Sequence, residues 1–229
     1  MRFLIVLFVL LLSPYVSVSG ESTEYRRNIS SFSRIELTGR FNAVLEEPRQ
    51  SGSISITAGS GSADDIETTV SGDKLIVSKS SGIYQPRNIT VKITPAQLIT
   101  ELSASSGVLV KSYRNVFSAK SEIRADSGST MELFTESSDL LINCGRNSKI
   151  KIKGKSENLE ARASNGGEID AFLLEASKCF AYSYTGSIIK VNISGHLEAG
   201  AGLESAVYYK GDPVSVYLSE TLGGKYIKE

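Results

Sequence analysis

The sequence predicts an all-β, single-domain parallel β-helix, with rungs of about nineteen residues and a less regular N-terminal β cap. Three observations carry that prediction. Apolar and polar residues alternate in short runs such as Lys149-Ile150-Lys151-Ile152-Lys153, which makes strands with one buried face. Equivalent residues return at a nearly constant step. Gly, Asn and Asp, which tolerate positive φ, stand between the runs at matching places.

In chain order, the first twenty residues read as a leader. Met1-Arg2 precedes an apolar run from Phe3 to Leu12, a break at Ser13-Pro14 and small residues to Gly20, the pattern of a secretory signal peptide cleaved after Ser19 or Gly20. The apolar run is too short for a bilayer, which takes about twenty residues. Nothing later resembles a membrane span, so the expectation is an exported protein that is periplasmic, at the cell surface or secreted.

Residues 21–98 are expected to form the irregular cap. Ile35-Glu36-Leu37, Phe41 to Leu45, Ser53 to Ile56, Leu75-Ile76-Val77 and Ile89 to Ile93 alternate as strands. Turn residues separate them at Ala58-Gly59-Ser60-Gly61-Ser62 and Ser80-Ser81-Gly82. Asp64 to Val70 reads equally as short helix or strand, and Thr94-Pro95 marks the junction between the cap and the regular rungs.

Residues 99–229 are expected to form the regular rungs. One column runs through Leu102, Ile123, Ile142, Ala161, Ala181 and Ala199, at steps of 21, 19, 19, 20 and 18. Two residues on come Ala104, Ala125, Cys144, Ala163, Ser183 and Ala201; two residues back, in later rows, stand Leu140, Leu159, Cys179 and Leu197. A second strand per row places Met131/Leu133, Ile150/Ile152, Ile169/Ala171, Ile189/Val191 and Val207/Tyr209 at the same spacings, with a shared slip at 176–181. Turns are expected at Ser105-Ser106-Gly107, Asp126-Ser127-Gly128, Gly145 to Ser148, Ser164 to Gly167 and Thr185-Gly186-Ser187, with a second turn closing each row at sites such as Lys153 to Ser156 and Ser194-Gly195. A row of two strands cannot bury its inner face alone, but stacked rows share one core. An antiparallel sandwich also uses short strands at such spacing, yet it does not return small residues to small columns and large to large.

The same register addresses the cysteines. Cys144 and Cys179 lie two rows and four residues apart, which at about 4.8 Å per row and 13 Å along the strand separates their Cα atoms by about 16 Å. A disulfide needs about 7 Å or less, so both thiols are expected to be free and buried.

Composition excludes much chemistry. With 25 basic and 25 acidic residues the net charge is zero, so general nucleic-acid binding is not expected. One His and two Cys preclude the usual zinc sets, and His196 reads as a surface residue without a catalytic partner. No Gly-x-Ser-x-Gly elbow or helix-opening glycine loop occurs, and the turns lack the paired Asp-rich motif of calcium-binding solenoids, so no cofactor or metal is expected. Glu157, Glu160, Glu168 and Asp170 face outward among Lys149, Lys151, Lys153 and Lys155, which reads as a solvated face. Tyrosines gather towards the C-terminus, and Tyr182, Tyr184 and Tyr208 are the candidate binding residues, because exposed rings stack on sugars or bury a partner. Tyr209 is expected to face the core.

The runs Phe32-Ser33-Arg34-Ile35-Glu36-Leu37-Thr38-Gly39, Leu75-Ile76-Val77, Ile89 to Thr94, Leu102 to Gly107 and Ala206 to Pro213 together resemble bacterial proteins of the auto-transporter adhesin, head GIN domain family. The stretch Leu222-Gly223-Gly224-Lys225 departs from the family's Ser/Gly-rich ending. The resemblance implies a right-handed β-helix on an exported bacterial protein and brings no functional residues with it. The function expected is a non-enzymatic envelope or surface protein binding a glycan or another protein, with unpaired end rows offering an edge for homo-oligomerisation. The alternatives are a carbohydrate-active enzyme on the same scaffold and a purely structural envelope component.

Overall fold

In a computed structural model that describes residues 23–58, 65–79, 89–221 and 223–229, seventeen strands form one continuous hydrogen-bonded sheet wound into a solenoid. The expected leader over 1–20, the turn residues Gly59 to Ser62 and Ser80 to Gly82, and Leu222 lie outside the described residues.

The solenoid has two strand ladders, here A and B. Ladder A stacks β5 (Ile66–Ser71), β6 (Lys74–Lys79), β2 (Arg34–Thr38), β8 (Ile99–Ser105) and β10 (Phe117–Ala125). It continues through the second halves of β11 (Thr130–Cys144), β12 (Lys149–Ala163), β13 (Glu168–Tyr184) and β14 (Ile188–Gly202) and ends on β16 (Ser215–Thr221). Ladder B stacks β1 (Thr23–Asn28), β4 (Ser53–Ala58), β7 (Ile89–Thr94), β3 (Asn42–Leu45) and β9 (Leu109–Ser112). The first halves of β11 to β14 come next, then β15 (Ala206–Lys210) and β17 (Lys225–Lys228).

All pairings between these strands are parallel except at the N-terminal end, where β1, β4 and β5 run antiparallel to their neighbours. Residues 66–71, ambiguous in sequence between helix and strand, form the strand β5. The rungs are also out of chain order there. The β2/β3 rung is sandwiched between β6/β7 and β8/β9, so the chain passes from the outermost strand β1 inward to β2/β3, back out to β4 and β5, inward again to β6/β7, and crosses over the β2/β3 rung at Thr94–Leu98.

The observed register matches the columns read from the sequence. Leu102, Ile123, Ile142, Ala161, Ala181 and Ala199 are successive partners, as are Leu140, Leu159, Cys179 and Leu197. Ile150, Ile169, Ile189 and Val207 form the facing column in ladder B, and all of these side chains are buried.

Two expectations need correction. In the rows of β11 to β14 the second turn is no turn: these strands run unbroken through it, as a bent corner inside one strand, because neighbouring rungs keep hydrogen-bonding around the bend, whereas the chain does leave the ladder between β9 and β10 and between β15 and β16. The register slip begins earlier than the expected 176–181 and runs into it. Surplus residues bulge from β13 around Phe172 to Leu174, between the Asp170 and Glu175 pairings, and a second shift occurs between Ala176 and Lys178.

The true turns are stacked pairs of left-handed residues: Ser127 and Gly128, Arg146 and Asn147, Asn165 and Gly166, Thr185 and Gly186, and Leu203 and Glu204. Each donates to the next, as Asn147 N to Asn165 O at 3.0 Å and Gly186 N to Leu203 O at 2.9 Å. The Leu203-Glu204 turn carries no turn-forming residue; the stack imposes the conformation. Just inside the turns runs a column of buried serines, in which Ser187 Oγ donates to Ala163 O at 2.9 Å and Ser205 Oγ to Gly202 O at 2.6 Å.

Cys144 and Cys179 are both buried and unpaired. Burial pushes the Cys144 thiol up to about 12 and raises that of Cys179 further. Because a thiolate is the reacting form, neither should react with a thiol reagent in the native protein at neutral pH. Both should react once the non-reduced protein is unfolded. Fewer than two reactive thiols per unfolded chain would refute the register, and rapid native labelling would refute the burial.

Candidate functional site

Strand alternation decides what reaches the outside of ladder A. Leu140, Ile142 and Cys144 point in, so Leu141 and Asn143 point out, and the pleat repeats this on each rung. Two outward columns result. One holds Glu101, Glu122, Leu141, Glu160, Phe180, Glu198 and Tyr217; the other holds Ser103, Arg124, Asn143, Arg162, Tyr182 and Gly200.

The columns are cross-linked within and between rungs. Arg124 Nε donates to Glu122 Oε1 at 2.6 Å, and Asn143 Nδ2 donates to the same oxygen at 2.9 Å. Arg162 is ion-paired with Glu160, and the Tyr182 hydroxyl donates to Glu198 Oε1 at 2.8 Å. That bond to a carboxylate, assisted by partial burial, raises the Tyr182 pKa. At the turn edge Arg146 Nε donates to Asp126 Oδ1 at 2.6 Å, which lowers the Asp126 pKa.

These side chains line shallow grooves that run side by side. One, of about 610 Å³, is bordered by Arg124, Asn143, Arg162, Tyr182 and Tyr184. Its neighbour, of about 450 Å³, is bordered by Glu122, Leu141, Glu160, Asn158 and Phe180. A third, of about 790 Å³, tracks the bent corner past Ser138, Ser156, Glu157 and Ser177.

The aromatic border depends on a glycine. A Cβ at Gly200 would stand 3.0 Å from Tyr182 Cδ1 and 3.4 Å from Tyr184 Oη, so both tyrosines lie against bare backbone. Tyr184 is 43% exposed beside the half-buried Tyr182. Gly200-Ala201-Gly202, which fails as a phosphate loop, is thus the seat of two rings. The signal for this was in the sequence, since alternation sends Gly200 and Gly202 outward one rung from Tyr182 and Tyr184.

Of the three candidate tyrosines, the structure brings together Tyr182 and Tyr184 only. Tyr208 lies on ladder B, between Lys190 and Ile227, on the other outer surface. Tyr209 packs partly buried against the core. The Tyr226 hydroxyl accepts from Ala201 N at 2.7 Å, so that ring reaches across the core from ladder B to ladder A. Sequence proximity grouped residues that the solenoid sends to different faces. His196 is half-buried on the outside of β14, its Nδ1 2.7 Å from Ser215 Oγ and its ring edge-on to Phe180 at 6.4 Å.

The outer face of ladder B is a charge ladder. Lys111 pairs with Glu132 at 3.1 Å, and Glu168 pairs with Lys149 at 3.2 Å and Lys190 at 3.3 Å. Burial pulls the Glu168 pKa up, but the two lysines outweigh it and the net shift is down. Asp73, held by Arg34 and Ser33, is lowered to about 2. Among the described residues, every carboxyl displaced from its usual range thus moves towards the charged form, the opposite of what a general acid requires.

Residues 31–213 match the model of the family described as "Putative auto-transporter adhesin, head GIN domain". The chain belongs to that family. Solved structures show that this head GIN domain shares its fold with other bacterial proteins. A "putative adhesin" from Bacteroides fragilis superposes with a TM-score of 0.82 at 16% identity, over 92% of this chain and 98% of that one. A "putative adhesin" from Parabacteroides merdae gives 0.75 at 16% identity, over 92% and 97%. A "Putative lipid binding protein" from Parabacteroides distasonis gives 0.67 at 17% identity, over 92% and 98%. No curated protein matches the chain.

Proposed function

We propose that this head GIN domain is an exported, non-enzymatic binding module that recognises an uncharged glycan on the outer face of ladder A. The leader-like residues 1–20 and the family's adhesin description support the address. One observation carries the ligand class: Tyr182 and Tyr184 flank a groove whose border also holds Arg124, Asp126, Asn143 and Arg162, all planar polar groups. Aromatic faces stack on the C–H side of a sugar ring. Planar guanidinium, amide and carboxylate groups bond pairs of neighbouring hydroxyls. Because the guanidiniums already face Glu122 and Glu160, the surface offers donors and acceptors without a net field, which favours a neutral ligand over an anionic one. A lipid reading would call for an enclosed apolar chamber, whereas the grooves on ladder A lie open and are bordered by charged residues.

A glycan array followed by calorimetry on the hits tests the reading. Tyr184→Ala should weaken binding by about tenfold or more, as expected for loss of an aromatic anchor. Tyr208→Ala, on ladder B, should leave it unchanged. An array without hits, or equal losses in both variants, would overturn the proposal.

A further inference from the structure

Arg124, Asn143, Arg162 and Tyr182 are direct partners on four consecutive rungs, β10 to β13. Each rung therefore contributes one planar polar side chain to a single line on the outside of ladder A. No register shift interrupts the line, because the irregularities of β10 and β13 fall before Glu122 and Lys178. The line is also bounded. Short serines stand at its two ends, Ser103 before Arg124 and Ser219 beyond Gly200.

Beside the line runs a trough. On the β11 rung Gly145 lies in it, and a Cβ there would meet nothing nearer than Asp126 Oδ1 at 3.7 Å and Ser164 Oγ at 3.8 Å. Its φ is not left-handed, so neither strain nor a close neighbour calls for glycine at this position. What the missing side chain provides is open space. At the C-terminal end both tyrosine rings lean from β13 onto β14. Tyr182 Cδ1 lies over Gly200, and the Tyr182 hydroxyl reaches Glu198 on that rung. The track thus runs from β10 to β14, four rung steps or about 19 Å at about 4.8 Å each.

We infer that the ligand is a straight, unbranched chain of about four sugars, lying along the solenoid axis with its terminal sugar on Tyr182 and Tyr184. This rests on the glycan reading above and gives that ligand a length, a direction and a linkage class. One sugar of an extended chain covers about the height of one rung, so each planar group meets a sugar of its own. Guanidinium and amide groups offer several donors or acceptors in one plane, which suits the paired hydroxyls along a sugar's edge. The tyrosine faces take the C–H side of the last ring. Because the line is straight, the chain that follows it is joined through equatorial bonds, as in β-1,4-linked glucans. A coiled α-linked chain leaves the track after the tyrosines.

Calorimetric titration with cello-oligosaccharides and malto-oligosaccharides of one to six sugars tests the inference. Affinity for the cello series should rise by about tenfold or more between two and four sugars and level off beyond four. Malto chains of four sugars should bind about tenfold or more weaker. Gly145→Leu, which fills the trough two rungs short of Tyr184, should bring the affinity for four sugars down to about that for two. Tyr184→Ala should weaken chains of every length. The length series decides without any variant, and melting of Gly145→Leu checks its fold. Equal affinity for two and four sugars, a preference for the malto series, or four-sugar binding that Gly145→Leu leaves intact would each overturn the inference. So would glycan-array hits without any binding of the cello series. In all four cases the glycan reading stands. Absence of binding by both series and by the array would overturn the two together.

Discussion

Gly154→Ala is expected to destabilise the protein by about 3 kcal/mol or more, lowering the melting temperature by about 10 °C. Gly154 sits at the bent corner of β12 with φ +123°, where only glycine is at ease, and pairs with Thr135 on the rung before. A Cβ there would stand 1.9 Å from the Thr135 carbonyl oxygen and 3.0 Å from its carbon, both backbone atoms that no side-chain rotation can move aside. Relief requires the two rungs to part at the corner. Each rung is stable only through its neighbours, so a break there loosens the core on both sides. Thermal unfolding followed by circular dichroism checks the expectation; an alanine variant within about 1 kcal/mol of the parent would show that the corner yields without cost.

The same residue shows what the sequence could and could not say. Lys153-Gly154-Lys155-Ser156 looked like a turn because glycine beside polar residues marks turns. The structure needs the glycine for a bend inside a strand instead. Composition cannot separate these two uses, because both call for positive φ and both lie outside the apolar columns. The columns themselves were legible because a parallel solenoid places residues one rung apart in direct contact, so packing writes itself into the sequence at a fixed step. Where pairing is antiparallel or out of chain order, as in β1, β4 and β5 or the inserted β2/β3 rung, no such step exists. The alternation of Ile35, Leu37, Ala43 and Leu45 announced strands but not their neighbours.

The candidate site was half legible for a related reason. Alternation along β13 places Tyr182 and Tyr184 on the outside of ladder A. It did not say that Tyr208 faces away from them, because that depends on which ladder each strand joins. The bonds from Asn143 to Glu122 and from Tyr182 to Glu198 link residues 21 and 16 positions apart, which only the register brings together.

Phe117→Ala is expected to cost about 3–5 kcal/mol, the range for emptying a buried aromatic site. The sequence passed over this residue because it belongs to no column. The step from Leu102 to Ile123 is 21, and the surplus residues lie where Phe117 pairs with Ile99 while Glu122 already pairs with Glu101. The irregularity is filled, not loose: Phe117 has no solvent exposure and ranks among the largest fully buried side chains. Asn115 holds the bulge in place. Its Oδ1 accepts from Phe117 N at 3.1 Å and Glu136 N at 3.3 Å, and its Nδ2 donates to Phe117 O at 3.1 Å. Those bonds fix the backbone, so the space left by the ring cannot close by simple collapse, and the full cavity cost is expected. Phe117→Leu keeps most of the volume and should lose less than half as much. Urea unfolding with an unchanged slope measures both variants. A loss under about 1 kcal/mol for the alanine variant would mean that the bulge relaxes into the corner groove that Phe117 borders, and that Asn115 does not pin it.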